Sequence, residues 1–170
     1  MILGMSVATF TTVHVVLSLI GIVAGIVAVL AMTASRLLPG WTLVFLVTTI
    51  LTSVTGYFFP VDKILPSHIV GAISLAVLAI AVLALYARRL AGSWRWIYVV
   101  TATISLYLNV FVLVGQAFLK VGALKALAPT QSEPPFAIAQ GVVFLAFLVI
   151  GFLAVRRFHP GTTQAALRPA

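Results

Sequence analysis

Five stretches of the chain are apolar over a length that can cross a lipid bilayer, and short polar segments separate them. A helix needs about 20 apolar residues to span the hydrocarbon core, and each stretch is close to that length. The pattern predicts an all-α polytopic integral membrane protein, a helical bundle of five transmembrane helices in a single domain, residues 1–158, followed by a short polar cytoplasmic tail, residues 159–170. The predicted helices are at about 9–34, 41–58, 66–88, 94–118 and 136–156.

The fourth apolar stretch, Trp94 to Lys120, has one polar face. At helical spacing Tyr98, Ser105, Asn109 and Gln116 share this face, while valine, isoleucine, leucine and phenylalanine occupy the others. Polar side chains within a membrane helix turn towards protein or a wet cavity and away from lipid. The stripe therefore predicts where the interior of the bundle lies.

The first apolar stretch places a histidine and two glycines on one helical face, His14, Gly21 and Gly25. A pair of glycines four residues apart lets another helix backbone approach closely, so we expect this face to pack against a neighbour. No basic segment precedes the stretch, and it is longer than the apolar core of a signal peptide, so we interpret it as a retained helix. Between helices four and five, residues 118–127 are compatible with a continued helix or with a helix in the membrane interface.

Composition and charge narrow the class of protein. Hydrophobic residues make up 63% of the chain and charged residues 7%, which excludes a soluble domain. The net charge of +8 does not indicate nucleic-acid binding, because the basic residues flank apolar runs. The chain has no cysteine, which excludes disulfides, thiolate metal sites, iron–sulfur clusters and covalently attached haem.

The distribution of arginine predicts the orientation in the membrane. Five spans bring all arginines to one side, and the three lysines and both carboxylates, Asp62 and Glu133, to the other. Arginine-rich segments stay in the cytoplasm, so we expect the N-terminus outside and the C-terminus inside. The arginines are Arg36, Arg88, Arg89, Arg95, Arg156, Arg157 and Arg168.

The same topology predicts a polar pocket that opens to the outer, periplasmic side. The outer ends of four predicted helices carry polar side chains, and the two proline-bounded outer loops would cap them. We expect these side chains to form a ligand-binding site; they are His14, His68, Asn109, Gln116 and Gln140.

Several occupants of this pocket stay open at the sequence level. A b-type haem between His14 and His68 is one, although we expect His14 to lie about one helical turn deeper in the membrane than His68. A zinc or copper site from these histidines with Asp62 and Met5 is a second, without diagnostic spacing. A quinone or lipid-like ligand is a third. Proton handling is a fourth, but no acidic residue continues the path inwards.

The alternative is a non-catalytic structural or accessory subunit of a membrane complex. The polar stripe is then interhelical hydrogen bonding, and the Gly21–Gly25 face serves a homo-oligomer or a larger complex. The chain contains no recognisable hydrolase, metalloprotease or nucleotide-binding motif, so we expect no enzyme unless a bound cofactor supplies the chemistry.

Three segments carry a resemblance, and together they span about half of the chain: FFPVDKILPSHIVG, WRWIYVVTATISLYLNVFVLVGQAF and LKALAPTQSEPPFAIAQG. They resemble a group of uncharacterised small polytopic proteins of the bacterial inner membrane. The resemblance implies a multi-pass protein in that membrane, surrounded by the lipid bilayer, and it implies no activity.

Overall fold

The structure is a computed structural model, and it describes residues 1–60 and 66–161. Six α-helices make up most of these residues, and the only strand-like feature in the described ranges is an isolated bridge between Ile2 and Met5. Asp62, Lys63 and Arg168 lie outside the described residues. The helices are α1, Val7–Thr33; α2, Pro39–Thr55; α3, Pro66–Val82; α4, Trp94–Lys120; α5, Gly122–Leu127; and α6, Pro134–Arg157.

Local sequence signals explain where three of these helices begin. The hydroxyl of Ser6 accepts a hydrogen bond from the backbone N–H of Thr9 at 3.1 Å, which caps the first turn of α1. Proline is the first residue of α2 and of α6, Pro39 and Pro134. Proline suits this position because its missing N–H has no partner in the first turn.

Five helices are long and apolar enough to cross a membrane, and they indicate a membrane protein. The five candidate spans are α1, α2 with the following 3₁₀ turn Gly56–Phe58, α3 with the following π-helical turn Leu83–Ala87, α4 and α6. The all-helical prediction with five apolar helices is confirmed.

Helices α1 to α4 form a closed four-helix bundle. Each contacts the next in the order α1, α2, α3, α4, and α4 returns to contact α1. Helix α6 packs outside this ring against α1 and α4. Most of its surface remains uncovered by protein, as Ile138, Val142 and Leu145 show with exposed fractions of 64%, 61% and 61%. This apolar outer face suits contact with lipid.

The glycine face of α1 packs within the bundle. A Cβ atom at Gly25 would lie 2.6 Å from Leu106 of α4 and 2.7 Å from Phe45 of α2. A Cβ at Gly21 would lie 3.0 Å from the hydroxyls of Thr48 and Thr49. The three helices therefore approach as closely as they do because α1 has no side chain at these points. The glycine face of α1 is therefore covered by helices of the same chain.

The half of the bundle next to the arginines is solidly packed. We call this half the arginine end; the described arginines lie there, in the turn between α1 and α2, in the turn between α3 and α4, at the start of α4 and at the end of α6. Its core consists of fully buried side chains from α1, α2, α3, α4 and the residue after α6, among them Met32, Phe45, Leu78, Tyr98 and Phe158.

Two hydrogen bonds fasten the end of α6 to this core. The guanidinium of Arg95 at the start of α4 donates to the backbone carbonyl of Phe158 at 2.5 Å. The backbone N–H of His159 donates to the hydroxyl of Ser35, just beyond α1, at 2.9 Å. The first bond satisfies a carbonyl at the C-terminal end of a helix, where carbonyls have no partner within the helix.

Some helix bounds differ from the sequence-based ones. α2 ends at Thr55 and the chain tightens into the 3₁₀ turn, and the regular part of α3 ends at Val82 before the π-helical turn. The segment 118–127 divides: α4 continues to Lys120, Val121 has an extended backbone, and a separate short helix, α5, follows.

Candidate functional site

A cavity of about 670 Å³ lies at the end of the bundle opposite the arginine end. Its walls come from the first half of α1, the last turns of α2 with the following 3₁₀ turn, the first turns of α3, and the second half of α4. Small-molecule sites in proteins have volumes of roughly 300 to 1,000 Å³. The cavity therefore has the size of a ligand site, and we call this half of the bundle the cavity end.

Four of the five side chains predicted to form a pocket line this cavity: His14, His68, Asn109 and Gln116. The fifth, Gln140, lies outside the lining. Its side-chain amide on α6 donates to the backbone carbonyl of Phe111 on α4 at 3.1 Å, so it joins the fifth span to the bundle. Helix α6 contributes none of the residues that line the cavity.

His14 is oriented by a threonine on the facing helix. Its Nδ1 lies 2.8 Å from the hydroxyl oxygen of Thr55. That hydroxyl donates its own hydrogen to the carbonyl of Leu51 at 2.7 Å, so it accepts from the imidazole. This arrangement favours the tautomer with the proton on Nδ1, which leaves on Nε2 a lone pair that can accept a hydrogen bond or coordinate a metal.

Aromatic rings pack against His14 on one side. The ring of Phe59 meets the imidazole edge-on with centroids 5.2 Å apart, and it meets Phe10 at the same separation. On the other side of the cavity, the hydroxyl of Tyr57 donates to the backbone carbonyl of His68 at 2.7 Å, and the two rings lie 5.5 Å apart. The residues after α2 thus form part of the wall.

Asn109 forms the inner end of the cavity together with Ser18. The hydroxyl of Ser18 donates to the side-chain oxygen of Asn109 at 3.3 Å. The side-chain nitrogen Nδ2 is buried and has no hydrogen-bond partner among the described residues. It lies 3.4 Å from the position that a Cβ of Gly21 would take, so it reaches the α1 backbone. Asn109 lines the cavity, so a rotation of its side-chain amide would present this unused donor to a ligand atom.

The lining between the inner and outer ends is largely apolar. Valine, leucine and alanine side chains cover most of α1 and α4 there: Val15, Leu19, Leu108, Val112, Leu113 and Ala117. Lys120, the last residue of α4, also lines the cavity. The cavity thus combines a polar inner end, apolar walls and a cationic group near its outer end.

The carboxylate of the described outer loop does not line the cavity. Glu133 accepts hydrogen bonds from the backbone N–H of Thr130 at 3.2 Å and of Ser132 at 3.1 Å, and from the Thr130 hydroxyl at 2.9 Å. Desolvation raises the pKa of Glu133, but these hydrogen bonds outweigh it and lower the pKa below its ordinary value. Gln131 ties the same loop to α4 by donating to the carbonyl of Gly115 at 2.7 Å.

The metal hypothesis receives no further ligands from the described residues. Within residues 1–60 and 66–161, no three histidine or acidic side chains converge closely enough to hold a metal ion. Asp62, the carboxylate of that hypothesis, lies outside these ranges. The haem hypothesis stays a prediction for His14 and His68, which both line the cavity.

The sequence-based interpretation missed several residues of the site. Thr55 bonds to His14, and Tyr57 and Phe59 line the cavity, although the pattern of apolar and polar positions does not place them in the site. Ser18 shares the helical face of His14, so helical spacing could have paired it with the polar stripe of α4. The pairing of Ser53 with Ser74 at 3.2 Å, across α2 and α3, gave no signal because neither helix has a pronounced polar face.

Comparison with protein families, with curated proteins and with solved structures finds no match to this chain. The size and lining of the cavity are therefore the observations that bear on function.

Proposed function

We propose that this protein is a multi-pass protein of the bacterial inner membrane whose cavity binds a lipid-like small molecule. The observation that carries the proposal is the composition of the cavity. Asn109, whose side-chain nitrogen has no partner among the described residues, and His14, which is held by Thr55, line a space of about 670 Å³ with largely apolar walls. Sites of this kind hold amphiphilic ligands, because apolar walls bind most of the ligand and a few polar groups orient it.

The proposed orientation places the cavity in the periplasmic half of the membrane. All described arginines lie at the opposite end of the bundle, and the cavity end carries Lys120 and Lys125. Arginine-rich ends of membrane proteins face the cytoplasm. The N-terminus is then outside and the C-terminus inside, and the ligand enters from the periplasm or from the outer leaflet.

Single cysteines test this orientation, because the natural chain has none. Ser93→Cys lies in the turn before α4, and Ser132→Cys lies in the loop before α6; both positions are exposed. In intact bacterial cells made permeable only in the outer membrane, a charged maleimide is expected to label Ser132→Cys and to spare Ser93→Cys. The reverse pattern would place the cavity in the cytoplasmic half.

Ligand binding is tested by what remains bound to the protein in lipid nanodiscs. The full chain is purified, its bound small molecules are extracted, and they are identified and quantified by mass spectrometry. We expect an amphiphile at about one molecule per chain, depleted in His14→Ala because the imidazole lines the cavity. His159→Ala is the matched control, since His159 follows α6 at the arginine end and lies outside the lining.

Two results would contradict the binding proposal. The first is a protein without any retained small molecule beyond nanodisc lipid in its bulk proportions. The second is equal retention in His14→Ala and His159→Ala with both variants folded. Either result would favour the alternative, a non-catalytic accessory subunit in a larger membrane complex or homo-oligomer.

A further inference from the structure

The inner end of the cavity carries polar groups without charge. We infer that the ligand is a neutral molecule with a carbonyl head, of the quinone class, and that this head enters first and accepts a hydrogen bond from Asn109. The inference rests on the proposed binding function, and it adds the chemical class of the ligand and the direction in which it lies.

The direction follows from where the polar groups lie along α4. Lys120 and Asn109 are eleven residues apart in one helix, which corresponds to about 16 Å at 1.5 Å per residue. Both residues line the cavity, Lys120 near its outer end and Asn109 at its inner end, with Val112 and Leu113 between them. A fatty acid held by its carboxylate at Lys120 would direct its alkyl tail at Asn109. The side-chain amide of Asn109 would then be covered by hydrocarbon and left without a hydrogen-bond partner, which is unfavourable.

The neutrality of the head follows from the residues around the inner end. Ser18, Asn109 and the walls of the facing helices carry no charge there. His14 is bonded to an uncharged group, the hydroxyl of Thr55. Burying an ionised carboxylate or phosphate among these groups would require a counter-charge at this depth, and the described lining has its charged side chain at the outer end.

The carbonyl group of the ligand is inferred from the polar atom of Asn109 that has no hydrogen-bond partner among the described residues. Its side-chain oxygen already accepts from Ser18, whereas Nδ2 is a buried donor without a partner in the described part of the chain. The complementary group is an acceptor, and a carbonyl oxygen accepts without needing an acceptor in return. A quinone meets both requirements, since it has a neutral ring with carbonyl oxygens and an apolar chain that follows the walls outwards.

The test compares three molecules with the same ten-carbon chain but different heads: decylubiquinone, decanoate and decanol. Their equilibrium binding to the full chain in nanodiscs is measured for the natural protein, for Asn109→Leu and for Thr103→Val. Thr103 is the matched control, because it is buried in the same helix and bonds to the carbonyl of Val99 within that helix. It is absent from the lining.

We expect decylubiquinone to bind more tightly than decanoate and decanol. Loss of one neutral hydrogen bond is expected to weaken its binding roughly three- to tenfold in Asn109→Leu, with no change in Thr103→Val. Tighter binding of decanoate or decanol, or unchanged decylubiquinone binding in folded Asn109→Leu, would overturn the inference.

A second measurement does not depend on the stability of the variants. Decylubiquinone labelled with ¹³C at its carbonyl carbons is bound to the natural protein and examined by infrared difference spectroscopy. A hydrogen bond from Asn109 shifts one carbonyl stretch to lower frequency, and two unshifted bands would overturn the inference. An amphiphile other than a quinone at one per chain would leave the binding function standing while contradicting this ligand class. If the protein retains no small molecule, both the binding function and the quinone class are contradicted.

Discussion

The hydroxyl of Thr55 orients the imidazole of His14. The hydroxyl of Thr55 bonds to a carbonyl of its own helix, which favours donation from Nδ1 of the imidazole and a lone pair on Nε2. A partner of this kind sets both the tautomer and the angle of the ring. The chemical character of the site therefore depends on a residue of another helix, 41 positions away in the chain.

We predict that Thr55→Val weakens ligand binding about two- to tenfold, because the imidazole loses the hydrogen bond that orients it. Retention of the co-purified ligand is the measurement. Thr12→Val is the matched control, since the Thr12 hydroxyl bonds to the carbonyl of Ala8 within α1 and lies on an exposed face. Equal retention in the two variants would show that the orientation of His14 is not needed.

Gly25 is the point of closest approach in the bundle. We predict that Gly25→Ala destabilises the protein by about 1 to 3 kcal/mol, because its Cβ would lie 2.6 Å from Leu106 and 2.7 Å from Phe45. Both neighbours are fully buried, so they have little room to move. Thermal unfolding in detergent or nanodiscs measures the change.

Gly141→Ala provides the comparison for this prediction. Gly141 lies in α6, and a Cβ there would meet nothing within 4 Å. Alanine is also the better helix former, so this variant is expected to keep or slightly raise the stability. Equal destabilisation in both variants would indicate a general cost of removing glycine from these helices, and not the close contact.

At the scale of whole helices, α6 differs from the other spans because it contacts the bundle through one side only. Of the five candidate spans, α6 has the smallest share of buried residues. The hydrogen bonds that hold it include those from Gln140 to the carbonyl of Phe111, from the guanidinium of Arg95 to the carbonyl of Phe158, and from the backbone N–H of His159 to Ser35. In a membrane, apolar contact with lipid replaces apolar contact with protein at little cost, so such polar contacts decide where a helix docks.

We predict that Arg95→Met loosens α6 and lowers the stability by about 1 to 2 kcal/mol, since the charged donor to Phe158 is lost. Arg157→Met is the control, because Arg157 is exposed and has no such side-chain bond in the described ranges. The measurement is thermal unfolding together with the rate of proteolysis after α6. If the two variants behave alike, general charge at this end matters and the individual bond does not.

The loop before α6 is ordered by a carboxylate. The pKa of Glu133 is lowered in the folded protein, so its contribution is present above the ordinary glutamate pKa and is lost as the pH falls through the lowered value. We predict that the amide resonances of Thr130 and Ser132 titrate together, with a midpoint below that of a free glutamate. In Glu133→Gln this titration is absent. A midpoint at or above the ordinary value would contradict the hydrogen-bonded loop.

Over the whole molecule, packing is unequal between the two ends of the bundle. The arginine end has a dry core of fully buried side chains, and the cavity end encloses about 670 Å³. Local stability follows local packing, so the two halves of one continuous helix are expected to differ. This asymmetry suits a binding protein, because a rigid end supports a site that can admit a ligand.

We predict that amide hydrogen exchange in ligand-depleted protein is roughly tenfold faster in residues 108–120 of α4 than in residues 97–106 of the same helix. The first range lines the cavity and the second packs in the core. Added ligand should slow exchange in the first range and leave the second unchanged. Uniform exchange along α4 would mean that the cavity does not weaken its end of the bundle.

The sequence by itself determined the class of the protein and the number of apolar helices. The lengths of apolar runs, the prolines and the arginines act locally, so they mark the spans without knowledge of the packing. It also determined which side of α4 faces the interior, since Ser105 is buried and Asn109 and Gln116 line the cavity. The periodic stripe was sufficient because the other faces of this helix are apolar.

Only the tertiary structure decided which polar side chains meet. It paired His14 with Thr55 and Asn109 with Ser18, left Gln140 outside the cavity, and closed the glycine face inside a single chain. Each of these results depends on how far neighbouring helices are rotated and shifted against one another. The energies of burying valine, leucine and isoleucine are nearly the same for many such arrangements, so apolar periodicity does not select among them. The close contacts at two glycines and a few hydrogen bonds make that selection.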